Sequence, residues 1–221
     1  MFRVFVISLS MVFILGCGRT DETDMSELVS QSEEGLSGVR YICVGDSTRA
    51  NSELFDELQE GLSHSGVQSI LMARYGQKLS DFNNANAYPT TNDVIYNIPN
   101  DGENTIVDIS LGINDRYHDS STIKRDLIQA IQKIRAYRPA TSFVLTTPTR
   151  LYYDDANTRK LRNVYHAVAN EMYLGLNTVV DSLMPSVGST PYSWYRGDGV
   201  HLSSQGQHHV AQFILRNMRG Y

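Results

Sequence analysis

The sequence predicts an α/β protein, a three-layer α/β/α sandwich with a central parallel sheet, and three observations predict it. From Val39 to the C-terminus, short apolar runs of strand length alternate with longer segments whose apolar residues recur at helical spacing. Ser47, Asn114 and Pro148 each fall just past the end of a strand-like run, where open parallel sheets place their ligand crevice. The chain has 221 residues with 41% apolar and 19% charged side chains, enough for one domain with a sizeable core.

Val39 to Val44 reads as a short apolar strand that ends at Gly45. Ser52 to Leu62 is expected to be helical, with Leu54, Phe55, Leu58 and Leu62 on one face. Val67 to Ala73 is a second strand and Thr105 to Leu111 a third. Ser120 and Ser121 are candidate caps for a long helix carrying Ile123, Leu127, Ala130, Ile131 and Ile134, and Pro139 follows its end. Ser142 to Thr146 is a fourth strand, running into Thr147-Pro148. Ala156 to Met172 is a helix with Leu161, Val164, Tyr165, Val168 and Met172 in register, and Thr178 to Val180 a weak fifth strand. Ser203 or Ser204 caps a last helix carrying Val210, Phe213, Ile214 and Met218.

The first 38 residues follow a different logic. Arg3 precedes Val4 to Leu15, a run of 12 residues that is apolar except for two serines. Such a run is too short to span a bilayer, where about 20 residues are needed, and suits a signal-peptide core. Ile14-Leu15-Gly16-Cys17 resembles a bacterial lipobox, in which the Cys is lipidated and becomes the first mature residue; an ordinary secretory signal with an incidental Cys is the alternative. The expected division is a signal peptide over 1–16, an acidic flexible tether over 17–38 and the folded domain over 39–221. Residues 18–38 hold six acids, one Arg and four Ser with no sustained apolar period, so they cannot bury enough surface to offset their ordering entropy. By the sorting rule of enteric bacteria, Gly18 in place of Asp favours an outer-membrane address over the inner membrane. The expected location is a bacterial cell envelope, with the membrane reached through lipid on Cys17. The formal charge of −5 argues against nucleic acid as a partner. With Cys17 lipidated, Cys43 would be a lone thiol, expected to be a small buried core residue.

Three short pieces carry chemistry. Ser47 lies in Gly45-Asp46-Ser47, between a strand and a helix, where its hydroxyl can project above the sheet near free N–H groups. Asp198 and His201, in Asp198-Gly199-Val200-His201, are close enough for the carboxylate to bond one imidazole nitrogen and leave the other for Ser47. Asn114, in Gly112-Ile113-Asn114-Asp115, offers an amide that can donate to an oxyanion. Each piece taken alone also fits a turn or a cap.

Together and in this order, the pieces resemble the SGNH (GDSL-type) hydrolase family. Ser47 matches the nucleophile block, Asn114 the third block, and Asp198 with His201 the last. Gly76 is the candidate for the second block, whose Gly lends a backbone N–H to the oxyanion hole. The first block reads Gly-Asp-Ser-Thr where the family name has Leu in fourth place. The resemblance implies a flavodoxin-like fold, a Ser-His-Asp serine esterase, an oxyanion hole from Ser47, Gly76 and Asn114, and neither cofactor nor metal.

Tyr192, Trp194, Tyr195 and Arg196 are candidates for a cleft wall, and Arg49 and Arg116 for positive charge beside it. Gly61 to Gly66 resembles a nucleophile elbow with its second Gly one residue late, and reads as a helix end. His208-His209 lacks a completing ligand set and reads as a solvated helix face. No long apolar insertion suggests a lid. The expected substrate is therefore an acetyl ester on an envelope glycan or exopolysaccharide. The alternatives are a lysophospholipase or thioesterase acting on longer chains, or a non-catalytic polysaccharide-binding lipoprotein.

Overall fold

The computed structural model describes residues 38–50, 53–84, 88–186 and 189–218. The expected signal peptide, Cys17 and the tether up to residue 37 lie outside them. Five parallel strands form one sheet: β1 (Arg40–Gly45), β2 (Gln68–Ala73), β3 (Thr105–Ser110), β4 (Ser142–Thr146) and β5 (Gly175–Asn177). Their order is β2-β1-β3-β4-β5. The chain leaves β1 in one direction to make β2 and in the other to make β3, so the sheet's switch point lies beyond the C-terminal ends of β1 and β3.

The helices are α1 (Ser47–Ala50), α2 (Glu53–Ser63), α3 (Leu79–Asn83), α4 (Thr91–Asn97), α5 (Ser120–Tyr137), α6 (Asp155–Met172), α7 (Val179–Ser182) and α8 (Ser204–Met218). Strand alternation sorts them into two layers. Ile42 and Val44 of β1 join Val107, Ile109, Phe143 and Leu145 in a core with α3, α4, α5 and α6. Tyr41 and Cys43 point the other way, into a core with α2, α7 and α8. The apolar stripes expected on α2, α5 and α6 are buried, Met172 partly. Cys43 is wholly buried, and desolvation pushes its thiol up to about 12.

Two expectations change. Thr178 to Val180 is not a strand: β5 ends at Asn177 and Val179 opens α7. The Thr147 hydroxyl accepts the Val180 N–H at 3.2 Å, so the chain turns into a helix there without leaving that amide unpaired. The cap of α5 is Asp119 rather than Ser120 or Ser121; its carboxylate accepts the Thr122 N–H at 2.7 Å. Gly61 to Gly66 does end α2, as expected.

Candidate active site

Ser47 is the first residue of α1, directly past β1. The turn is held by Asp46, whose carboxylate accepts the Thr48 N–H at 3.0 Å and the Thr48 hydroxyl at 2.9 Å. Gly45 serves close approach: a Cβ there would sit 2.4 Å from Cγ of Arg49, whose side chain folds back across the strand end. Arg49 is therefore buried, with Nη2 at 3.8 Å from Asp108 Oδ2 and Nη1 donating to Cys43 Sγ at 3.7 Å. This corrects the expectation that Arg49 lends charge to the cleft, since its guanidinium lies under the sheet's end. Asp108 also accepts from the hydroxyls of Tyr41 at 2.5 Å and Thr146 at 2.6 Å. The amide of Asn177 donates to the Thr146 hydroxyl at 3.1 Å. A buried polar chain thus runs from the helix of Ser47 across β1, β3, β4 and β5.

Asp198 and His201 sit in a loop closed at its base by an antiparallel bridge between Tyr195 and Leu202. The Arg196 N–H donates to the His201 carbonyl at 2.8 Å. Within the loop, Asp198 Oδ1 accepts the N–H groups of Val200 and His201, both at 2.9 Å. Its Oδ2 lies 2.5 Å from His201 Nδ1, and His201 Nε2 lies 2.9 Å from Ser47 Oγ. With the carboxylate on Nδ1, the proton belongs there, and Nε2 is left to accept from the serine hydroxyl. Desolvation raises the Asp198 carboxyl, but the bonds from His201 and the two amides outweigh it and bring it down to about 2. Gln207 of α8 supports the loop from below, donating to the Leu202 carbonyl and accepting the Leu54 N–H, each at 3.2 Å.

Asn114 lies on a short 3-10 turn (Ile113–Asp115) past β3. Its Nδ2 donates to the Gln77 carbonyl at 3.0 Å, which leaves the second amide hydrogen for another acceptor. Asp115 Oδ2 accepts the Leu79 N–H at 3.0 Å. These two bonds tie the turn to the loop carrying Gly76, whose φ of +71° suits Gly, although a Cβ there would meet nothing within 4 Å. The elements past β1, β2 and β3, with the loop before α8, thus bring Ser47, Asn114 and His201 to the switch-point end of the sheet.

A cavity of about 60 Å³ opens beside Ser47, lined in part by Thr48, Tyr75, Arg196 and His201. A larger groove of about 540 Å³ lies at the opposite end of the strands, between Thr105, Ser142 and Tyr173, and none of Ser47, Gly76, Asn114, Asp198 and His201 lines it. Of the proposed cleft wall, Arg196 alone lines the small cavity. Tyr195 is buried, Trp194 stacks on His209 at 4.4 Å, and Tyr192 packs on Tyr152 at 4.9 Å. Arg116 donates to the Ile113 carbonyl at 2.7 Å and lies over the Tyr117 ring. His208 pairs with Glu57 at 2.8 Å. Among the described residues, no group of three His, Cys, Asp or Glu is placed to hold a metal ion.

Sequence alone marks Pro148 in the loop after β4 but not the residues that follow it. Arg150, buried there, donates to the carbonyls of Met184 at 2.6 Å and Pro185 at 2.7 Å and pairs with Asp155. The Tyr152 N–H donates to the Gly199 carbonyl at 2.8 Å, which braces the loop of Asp198 and His201. The available signal was positional: the loop follows a strand's C-terminal end.

No protein-family model matches the chain, and no curated protein matches it in sequence. Solved structures do match in fold. A mutant of an acetyl-xylooligosaccharide esterase from Geobacillus stearothermophilus is 17% identical with a TM-score of 0.66, covering 84% of this chain and 95% of that one. A carbohydrate esterase family 3 protein from Talaromyces cellulolyticus is 17% identical with a TM-score of 0.66, covering 81% and 96%. A lipase/acylhydrolase from Enterococcus faecalis is 17% identical with a TM-score of 0.62, covering 82% and 96%. Identity this low speaks for architecture, and the architecture is the three-layer sandwich of SGNH and GDSL-type hydrolases.

Proposed function

We propose that this chain is a serine ester hydrolase of the SGNH type that removes a short acyl group, acetyl, from a glycan. The observation that carries the reading is the unbroken line from Ser47 Oγ to His201 Nε2 at 2.9 Å and from His201 Nδ1 to Asp198 at 2.5 Å. His201 takes the hydroxyl proton as Ser47 Oγ attacks the acyl carbonyl, and Asp198 orients the ring and stabilises its charged form. The N–H groups of Ser47 and Gly76 and the free amide hydrogen of Asn114 receive the oxyanion, where a single donor is worth on the order of 10²–10³ in turnover. The tetrahedral centre collapses, the sugar hydroxyl leaves with the proton from His201, and an acyl-Ser47 ester remains. Water, deprotonated by His201, attacks that ester, and the proton returns to Ser47 as acetate departs.

The cavity beside Ser47 supports the choice of acyl group. About 60 Å³ is room for a few water-sized groups and not for a long chain. The fold neighbours that are acetyl-xylooligosaccharide and carbohydrate esterases support the choice of leaving group. We further propose that lipid on Cys17 anchors the domain at the bacterial envelope; the mass of the mature N-terminal peptide reads this directly.

The test is labelling with a fluorophosphonate probe, followed by hydrolysis of nitrophenyl esters from acetate to laurate. Wild-type protein should label at Ser47 and prefer acetate, and Ser47→Ala should lose both labelling and turnover while keeping its fold. A rate that climbs toward laurate would put a long-chain lipase in place of the acetyl esterase. Absence of labelling would leave a binding protein.

A further inference from the structure

Every large apolar side chain left exposed among the described residues is a tyrosine, and one of them, Tyr75, also lines the Ser47 cavity. Most of the others stand apart from other rings. Tyr153 and Tyr192 do not. Tyr152 packs edge-on against Tyr153 at 5.0 Å, against Tyr192 at 4.9 Å and against the buried Tyr195 at 5.2 Å. Tyr153 and Tyr192 keep 71% and 45% of their surface exposed, so the group is a fixed ledge with two open rings. It adjoins the Asp198–His201 loop. Tyr152 holds the Gly199 carbonyl, and a Cβ on Gly199 would lie 2.6 Å from the Tyr153 ring.

We propose that this ledge is a sugar-binding subsite: Tyr153 and Tyr192 take pyranose rings of an acetylated oligosaccharide, and Tyr75 takes a further ring at the cavity beside Ser47. The proposal rests on the hydrolase reading and names where the alcohol half of the ester lies. A cavity of about 60 Å³ accepts the acyl group and leaves the alcohol outside, on the rim. In the sheet order, β2 and β4 flank β1 and β3. The ends of β2 and β4, from which the loops of Tyr75 and Tyr153 leave, are thus three intervals apart, roughly 14 Å at the usual strand spacing. Open rings on three separate loops about one reaction centre suit a chain of sugars better than a monosaccharide. Phenol rings suit the ligand, because a pyranose offers C–H groups on its face for stacking and hydroxyls on its edge for the phenol oxygen. An acyl-chain track would instead need exposed aliphatic side chains, and the exposed large apolar side chains are all tyrosines.

The test is calorimetric binding of O-acetylated xylohexaose and chitohexaose to the full chain carrying Ser47→Ala, which prevents turnover. The background should bind at least one of the two, and hexasaccharides more tightly than monosaccharides. Adding Tyr153→Ala and Tyr192→Ala should weaken binding tenfold or more, while Tyr153→Phe with Tyr192→Phe stays within threefold, because the rings are kept. Thermal melting confirms that each variant is folded. The proposal is overturned if neither oligosaccharide binds, if the Phe pair loses as much as the Ala pair, or if the Ala pair weakens lysophosphatidylcholine binding and leaves sugar binding alone. Fluorophosphonate labelling of the unsubstituted chain keeps the two readings apart. Labelling without sugar binding removes the ledge and leaves the hydrolase, and sugar binding without labelling does the reverse.

Discussion

The two faces of the sheet are built from different materials. The face toward α3, α4, α5 and α6 stays apolar to the C-terminal ends of its strands, where Ile42, Val44, Val107, Ile109 and Leu145 share one core with Leu127, Ile131 and Val168. The face toward α2 and α8 is apolar at one end only. Toward the C-terminal ends of its strands it carries Asp108, Thr146 and Asn177, all buried, with Arg49 reaching in from α1. Burying apolar surface stabilises a layer without fixing any one atom, because dispersion and hydration have no direction. A hydrogen-bonded ion pair costs desolvation and returns geometry. The difference assigns tasks: one face holds the domain together, and the other fixes the helix that begins with Ser47.

Substitutions on the two faces should therefore fail differently. The largest effect is expected at Asp108→Ala, which leaves the Arg49 charge and the Tyr41 hydroxyl without their acceptor. Losing one partner of a buried pair costs about 3–5 kcal/mol. The loss should appear as a lower urea midpoint, together with a fall in nitrophenyl acetate turnover per folded molecule. Full turnover in the folded fraction would break the comparison. Ile131→Ala on the apolar face should cost about 2–5 kcal/mol by transfer and cavity terms. There the urea midpoint should drop while turnover per folded molecule stays at the wild-type level. The smallest effect belongs to the rim. Asp198 has a carboxyl held down at about 2, below the unfolded value of about 3.9. Its contribution to stability is present above the unfolded value and is lost as pH falls toward 2. Because its side chain is half exposed, the loss is small. Urea midpoints measured from pH 5 to pH 2 should fall less for Asp198→Asn than for the parent, and equal slopes would rule the contribution out.

The apolar face was legible in the sequence because its signal is local. Ile42 and Val44 and the stripes of α5 and α6 repeat within a few residues. The candidate site was legible in part for the same reason, since Asp198 and His201 are near neighbours and Ser47 and Asn114 each end a strand-turn signal. The polar face was not. Asp108 looks like an interruption in an apolar strand, and Arg49 like a surface charge, until β1 and β3 lie side by side. Thr178 to Val180 misled because β-branched residues suit strands, whereas the Thr147 hydroxyl from another segment takes the Val180 amide. The Tyr152–Tyr153–Tyr192 ledge joins two distant loops, so no window of sequence contains it.

The contact between Gly45 and Arg49 makes the opening motif a longer unit of inheritance than its three familiar letters. A methyl group at position 45 would evict the arginine, and an evicted arginine would take the counter-charge from the acid on the third strand. Anyone transplanting this serine loop into another scaffold would have to carry the glycine, the arginine and a receiving carboxylate across as one piece.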